Sequence, residues 1–302
     1  MDARRETGKY IIGGGPTGLI TWYYNQDYHI ISPSLGEPGN KFFGPIYLRA
    51  TPLVNVLLKE VLGEIPKTQI FRVGYADCFT GTITETVSPE IRAKYSAKTR
   101  GFVNMDYSMN HGLSSFEAYP KEVLADLLAK LSIRVMDSRM WVDGEVTRIE
   151  RAEQNLVVGM WAKREPYKQL ISTIQAPVFM RACDLDINFT AYPIYIYQSD
   201  KMALPPVFDF VYIWGENPIY RMTKEGDRLA SLETLSRIIK PYLPLVAEIK
   251  YGKIVAGPKV PFQDSSLGPV RFVGRYARWD PKLMLNDVIV DAIKIKESLY
   301  VG

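Results

Sequence analysis

Gly13-Gly14-Gly15, followed by Gly18, is the spacing in this chain that most directly implies a chemistry. Gly13-x-Gly15-x-x-Gly18 stands between a short apolar run, Lys9-Tyr10-Ile11-Ile12, and helical spacing at Leu19, Trp22 and Tyr23. In such a strand, turn and helix, the first glycine makes the tight turn and the second lets the backbone approach a pyrophosphate. The third lets helix and strand pack closely. The helix start then offers unpaired N–H groups to phosphate oxygens. Pro16 suits a first helical turn, where its missing N–H is no loss. Tyr28-His29-Ile30-Ile31 reads as a second strand, which completes a compact βαβ nucleotide-binding unit. Gly13, Gly15, Pro16, Thr17 and Gly18 are therefore expected to hold a dinucleotide. The acid that usually ends the second strand and holds ribose hydroxyls is replaced by Ser32. A serine bonds a ribose more weakly than a carboxylate does, which weighs against NAD.

Other reactive residues are few. Tyr95, Lys98 and Arg100, in Tyr-Ser-Ala-Lys-Thr-Arg-Gly, form a compact cationic cluster, read either as a substrate contact or as a solvated turn. In Pro218-Ile219-Tyr220-Arg221 the arginine can fork a phosphate or carboxylate, or sit in a structural pair. His29 and His111 are the only histidines, so a multi-histidine zinc site is excluded and no metal site is expected. A Ser-His-Asp hydrolase would need one of the two, and neither a Gly-x-Ser-x-Gly elbow nor a Walker-type loop is present. An enzyme of this composition takes its chemistry from a bound cofactor.

The elements that must position these residues follow from periodicity. The chain has 302 residues, of which 47% are hydrophobic, enough for one large or two interleaved domains. Its formal charge of +4 permits an anionic or nucleic-acid partner without requiring one. Cys78 and Cys183 have no metal-type spacing. With no signal-like start and no bilayer-length apolar run, a cytoplasmic protein without a membrane partner is expected. Leu53, Val54, Leu57, Leu58 and Val61 mark one amphipathic helix. After Pro120, Val123, Leu124, Leu127, Leu128 and Leu131 mark another. Strands are expected at 133–136, 145–149, 156–161, 170–174, 192–197, 210–214 and 270–273, and helices at 230–239 and 286–300. Residues 66–112 are less regular, and no repeat or linker divides the chain.

The loop after the second strand, Gly36-Glu37-Pro38-Gly39-Asn40-Lys41-Phe42, resembles the second glycine segment of the flavoprotein group containing amine oxidases and UDP-galactopyranose mutases. Val146-Thr147-Arg148-Ile149 is similar to the strand whose backbone holds adenine in that group. Ile171-Ser172-Thr173-Ile174-Gln175-Ala176-Pro177 is similar to its V-I-S-T-x-P strand end. Phe272-Val273-Gly274-Arg275-Tyr276-Ala277, with Leu285-Asn286-Asp287-Val288-Ile289, resembles the C-terminal flavin segment, closest to the mutases. The resemblance spans both ends and part of the middle. It implies FAD, held by the glycine loop with Ser32, Gly39, Asn40, Lys41, Phe42, Val146, Thr173, Gly274, Arg275, Asn286, Asp287 and Val288. A helix N-terminus at 286–288 would stabilise negative charge at the N1/O2 edge of a reduced flavin, although Asp287 fits a plain helix-start residue equally well.

The fold expected from these signals is α/β. A Rossmann-type FAD-binding domain of residues 1–62, 113–182 and 266–302 would carry a discontinuous β-rich substrate or cap domain of 63–112 and 183–265. The flavin ring is expected between residues 39–44 and the N-terminus of the last helix. Substrate would enter from the cap near Arg221, with Tyr220, Lys98 and Arg100 as the other catalytic candidates and Tyr212 and Trp214 as an aromatic wall. The preferred function is oxidation of a carbon–nitrogen bond in an amine or amino-acid-type substrate. A narrower form follows from a resemblance to small flavoenzymes of DNA-hypermodifying phages, which process amino-acid-substituted thymidines. The alternatives are a mutase-like isomerase of a nucleotide sugar and a non-catalytic dinucleotide-binding protein. The partner is thus a small-molecule or nucleotide-linked substrate, with nucleic acid as one form of it.

Overall fold

The computed structural model describes residues 8–37, 48–77, 82–99, 111–159, 161–185, 190–199, 204, 206–215, 218–225, 229–234, 247–256, 269–278 and 283–298. The chain opens with strand β1 (Lys9–Ile12), helix α1 (Pro16–Tyr24) and β2 (His29–Ser32). A two-residue strand, β3 (Leu48–Arg49), leads into α2 (Pro52–Leu62), and then come β4 (Gln69–Ala76), β5 (Ile83–Thr84) and α3 (Pro89–Lys98). After β6 (Ser115–Tyr119), α4 (Lys121–Asp137) returns the chain to β7 (Trp141–Asp143). The antiparallel strands β8 (Val146–Glu150), β9 (Asn155–Val158) and β10 (Lys163–Pro166) follow, then β11 (Gln169–Ser172) and α5 (Ala176–Ala182). Four strands come next, β12 (Thr190–Ser199), β13 (Phe210–Ile213), β14 (Ile219–Glu225) and β15 (Leu229–Thr234), and β16 (Ala247–Ala256) is a fifth. The C-terminal part holds β17 (Val270–Phe272), a single helical turn α6 (Arg275–Arg278) and α7 (Leu285–Ser298).

Five strands from distant parts of the chain form one parallel sheet in the order β17-β11-β1-β2-β7. Parallel strands buried on both faces read as continuous apolar runs, as Tyr10-Ile11-Ile12 does. Alternation sends Ile31 to a core shared with α5 and β8–β9, and Ile30 to a core shared with α1, α2, α4 and α7. A nine-stranded sheet has the order β16-β12-β15-β14-β13-β4-β6-β3, with β5 paired to β4. Leu48 of β3 and Tyr119 of β6 bury their side chains in the helical core of the parallel sheet, so this larger sheet is rooted there. Its two faces carry separate cores. Phe71, Val73, Tyr75, Tyr95, Phe210, Tyr212 and Tyr220 cluster on one, and Tyr197, Val211, Ile213, Met222 and Leu232 on the other.

Two expected elements differ. Residues 133–136 continue α4 rather than forming a strand. Leu131, Ser132 and Val135 are buried while Ile133 and Met136 are exposed, a helical alternation that a four-residue apolar window cannot reveal. In place of a helix from 230, residues 229–234 form β15 between β12 and β14. Ser231, Leu232, Glu233 and Thr234 are all buried there, so sheet pairing overrides local propensity. Residues 235–239 lie outside the described set. Helix α3, within the stretch of weak patterning, starts at a Ser88 cap whose hydroxyl accepts the Ile91 N–H at 3.2 Å. Among the described residues no helix is long and apolar enough to cross a membrane.

Candidate dinucleotide site

The glycine turn is built by steric necessity at three of its four glycines. Gly13 has φ +108°, and a Cβ there would lie 2.6 Å from the Thr173 hydroxyl oxygen. A Cβ on Gly14 would lie 2.3 Å from the Ser34 carbonyl oxygen, and one on Gly18 would lie 1.8 Å from the Gly13 carbonyl oxygen. Gly15 is different. Its φ is −73°, which any residue adopts, and the nearest atom to its missing Cβ is the Glu37 carbonyl oxygen at 3.5 Å. Among the described residues no atom demands a glycine there. This is the position where a dinucleotide pyrophosphate needs close backbone approach, at the N-terminus of α1. The residues present therefore fit a dinucleotide.

The turn is held from three sides. The Gly13 N–H donates to the Ile31 carbonyl at 2.9 Å, and the Gly36 N–H donates to the Gly14 carbonyl at 2.8 Å. Thr173 donates its hydroxyl to the carbonyls of Ile12, at 2.8 Å, and Gly13, at 3.2 Å. Its side chain thus braces the turn from the next strand. Ser32 is buried, its hydroxyl 3.5 Å from the Ser34 N–H, and its carbonyl accepts the Trp141 indole N–H at 2.9 Å.

The C-terminal segment lies directly against this loop. Gly274 has φ +90°, and a Cβ on it would meet the Thr17 methyl at 2.7 Å. Arg275 donates Nε–H to the Leu283 carbonyl at 3.0 Å, closing the turn toward α7. Asp287 accepts the Met284 N–H at 2.7 Å, the reciprocal bond of a capped helix start. Asn286 accepts a hydrogen bond from Thr51, and Val288 is buried in the helical core. Val146 is buried at the start of β8. Gly39, Asn40, Lys41 and Phe42 lie outside the described residues.

The catalytic candidates separate. Arg221 pairs through Nε–H with Glu233 Oε1 at 2.9 Å, and through Nη2 with the same oxygen, while Tyr220 donates its hydroxyl to Glu233 Oε2 at 2.6 Å. Glu233, buried to 4% side-chain exposure, was not legible as a site residue; only the β14–β15 register places it opposite Arg221. Lys98 donates from Nζ to the carbonyls of Ile213, at 2.8 Å, and Ile219, at 2.6 Å, so it ties the ends of β13 and β14 together. Tyr95 packs edge-on against Tyr212, and Lys94 lies over the Trp214 ring at 5.1 Å. Arg100 lies outside the described residues. A surface depression of about 590 Å³, lined by Arg148, Arg151, Arg164, Cys183 and Asp184 among others, contains none of these candidates.

No family model matches the chain, and no curated protein matches it in sequence. Solved structures do. A reduced UDP-galactopyranose mutase superposes with a TM-score of 0.64 over 97% of this chain and 95% of that one, at 11% identity. The chain has the Rossmann-type fold of FAD-binding flavoproteins. A flavin-dependent brominase superposes with a TM-score of 0.59 over 97% of this chain and 78% of that chain, at 10% identity. An oxidoreductase from Methanosarcina mazei matches with a TM-score of 0.59 over 96% of this chain and 99% of its own, at 10% identity. The glycine turn, the Thr173 brace and the Gly274 contact lie together in this fold, formed from residues 13–18, 173 and 274.

Proposed function

We propose that this chain binds FAD non-covalently and is an oxidoreductase acting on a carbon–nitrogen bond of an amine or amino-acid-type substrate. The observation that carries the cofactor reading is Gly15. It is a glycine with no steric reason among the described residues, set at a helix N-terminus between glycines that each have one. When bound, FAD supplies a hydride acceptor for the carbon next to nitrogen. The chain's own residues bind and shield. The free N–H groups at the start of α1 take the pyrophosphate, and the Gly274–Thr17 contact sets the C-terminal segment beside it. Tyr75, Tyr95 and Tyr212 make one face of the large sheet apolar, which supports a role in excluding water. Arg221, held by Glu233, is the cation proposed to meet the substrate's anionic group.

The same reading assigns residues 1–62, 113–182 and 266–302 to cofactor binding and 63–112 and 183–265 to the cap, although β3 and β6 pair into the larger sheet. An amino-acid-substituted thymidine in DNA is its narrower form, supported by the net charge of +4. The likeness to a UDP-galactopyranose mutase supports a second reading, isomerisation of a nucleotide sugar, although a fold alone does not specify chemistry.

An absorption spectrum of the purified protein, with mass spectrometry of the released cofactor, tests the FAD assignment. A colourless protein that takes up no added FAD overturns it. Peroxide release with amines in air supports oxidation, whereas turnover of UDP-galactopyranose only after dithionite reduction supports the isomerase.

A further inference from the structure

Strand β2 ends in Ser32, where dinucleotide folds of this kind place an acid against the adenosine ribose. The structure sets an acid one strand away. β2 and β7 run parallel with Ser32 opposite Asp143, and both strands stop at that row on the carboxyl edge of the sheet. Neighbouring strands lie about 4.8 Å apart, so the two side chains occupy adjacent columns. Alternation puts them on the same face. Each follows by two residues a member of the paired row Ile30 and Trp141, whose side chains pack in the helical core. The Ser32 carbonyl fastens this row to β7 by accepting the Trp141 indole N–H at 2.9 Å and the Gly144 N–H at 3.4 Å.

Ser32 is buried and Asp143 is exposed, so the carboxylate is the group that reaches out from this edge. Asp143 is also joined to both halves of the dinucleotide machinery. On one side, the segment that follows Ser32 lies against the glycine loop, with the Ser34 carbonyl beside Gly14. On the other, the chain turns at Gly144, with φ +156°, into Val146 at the start of β8. The nearest other acids in sequence are placed differently. Glu37 brings its carbonyl toward Gly15, and Glu145 accepts the Gly159 N–H on its carbonyl at 2.8 Å, beyond the strand end.

We propose that Asp143 holds the ribose hydroxyls of the adenosine half of FAD, in place of the acid that β2 lacks; this rests on the FAD reading above. A carboxylate accepts hydroxyl hydrogen bonds more strongly than a serine can. It also repels a pyrophosphate, which gives its removal a readable sign. Loss of hydroxyl bonds weakens binding, and loss of repulsion alone tightens it. The test titrates full-length apoprotein by calorimetry with FAD, ADP and 2′,3′-dideoxy-ADP. Wild type should bind ADP about tenfold more tightly than the dideoxy analogue, the worth of a charge-assisted hydrogen bond. Asp143→Ala should lose that discrimination and bind FAD about tenfold more weakly. Asp143→Asn, which keeps the shape of the strand end, should move in the same direction and serves if the alanine variant melts early. Discrimination that survives in both variants, or tighter binding of all three probes, makes Asp143 an exposed turn residue and overturns the proposal while leaving the FAD reading intact. A wild-type protein that binds neither FAD nor ADP overturns both.

Discussion

Thr51 donates its hydroxyl hydrogen to Asn286 Oδ1 at 3.0 Å, across 235 positions of sequence. The Thr51 hydroxyl oxygen itself accepts the Val54 N–H at 3.3 Å and so caps α2. One hydroxyl therefore caps one helix and ties it to the start of α7. Thr51→Val removes both bonds at nearly constant volume. Stability should fall by about 1–2 kcal/mol, the range for a lost N-cap, and a denaturant titration with unchanged slope measures it. A loss no larger in Thr51→Val than in Asn286→Ala would show that the cap bond to Val54 adds nothing.

The glycine turn separates folding from binding. Gly18→Ala forces a Cβ to 1.8 Å from the Gly13 carbonyl, and backbone must move. That variant is expected to melt far below wild type or to be insoluble. Among the described residues the Cβ of Gly15→Ala meets nothing closer than 3.5 Å, and the position keeps an ordinary φ, so its melting curve without cofactor should match wild type. Its FAD content should nevertheless collapse. Equal FAD retention in Gly15→Ala and wild type would remove the main support for the pyrophosphate site.

The Arg221–Glu233 pair carries a cost for either partner. Arg221→Ala leaves the Glu233 carboxylate buried, with the Tyr220 hydroxyl donating to it at 2.6 Å. Breaking a buried pair from one side costs about 3–5 kcal/mol, and the lower end applies because Arg221 keeps some exposure. Thermal melts of Arg221→Ala and Tyr220→Phe should show the larger loss in the first, with FAD retained in both. A melt unchanged in Arg221→Ala would mean that the pair is weak.

Burial pushes the Cys183 thiol up to about 12, against a smaller opposing pull from Arg151. An unfolded thiol ionises near 9.0, so the unfolded chain releases this proton first as pH rises. The group's contribution to stability is intact below pH 9 and is lost between 9 and about 12. In a Cys78→Ser background, DTNB should therefore react slowly with native protein at pH 8 and quickly after denaturation. Cys183→Ala should flatten the decline of stability above pH 9. Rapid native labelling at pH 8 would contradict the burial of this thiol.

The βαβ unit at 9–32, the helices after Thr51 and Pro120, and the C-terminal strand and helix were legible because each depends on a local rule. A glycine turn needs its glycines, and an amphipathic helix shows its period. Tyr220 and Arg221 were legible as polar and cationic, but their shared partner Glu233 was not, because a cross-strand register is not written in either strand alone. Lys98 likewise looked like one of a reactive cluster until the fold aimed it at the carbonyls of Ile213 and Ile219.

By itself the sequence determined the glycine turn and the order of the elements that carry it, since backbone sterics at Gly13, Gly14 and Gly18 act within a few residues. It also determined what is missing, an acid at the end of β2. Only the tertiary structure decided which residues stand beside that loop. Gly274 against Thr17, Thr51 against Asn286 and Asp143 beside Ser32 are each contacts between segments far apart in the chain. Such contacts follow from how a parallel sheet orders its strands. Every crossover in that sheet brings a distant segment to the same carboxyl edge, where the proposed dinucleotide site lies.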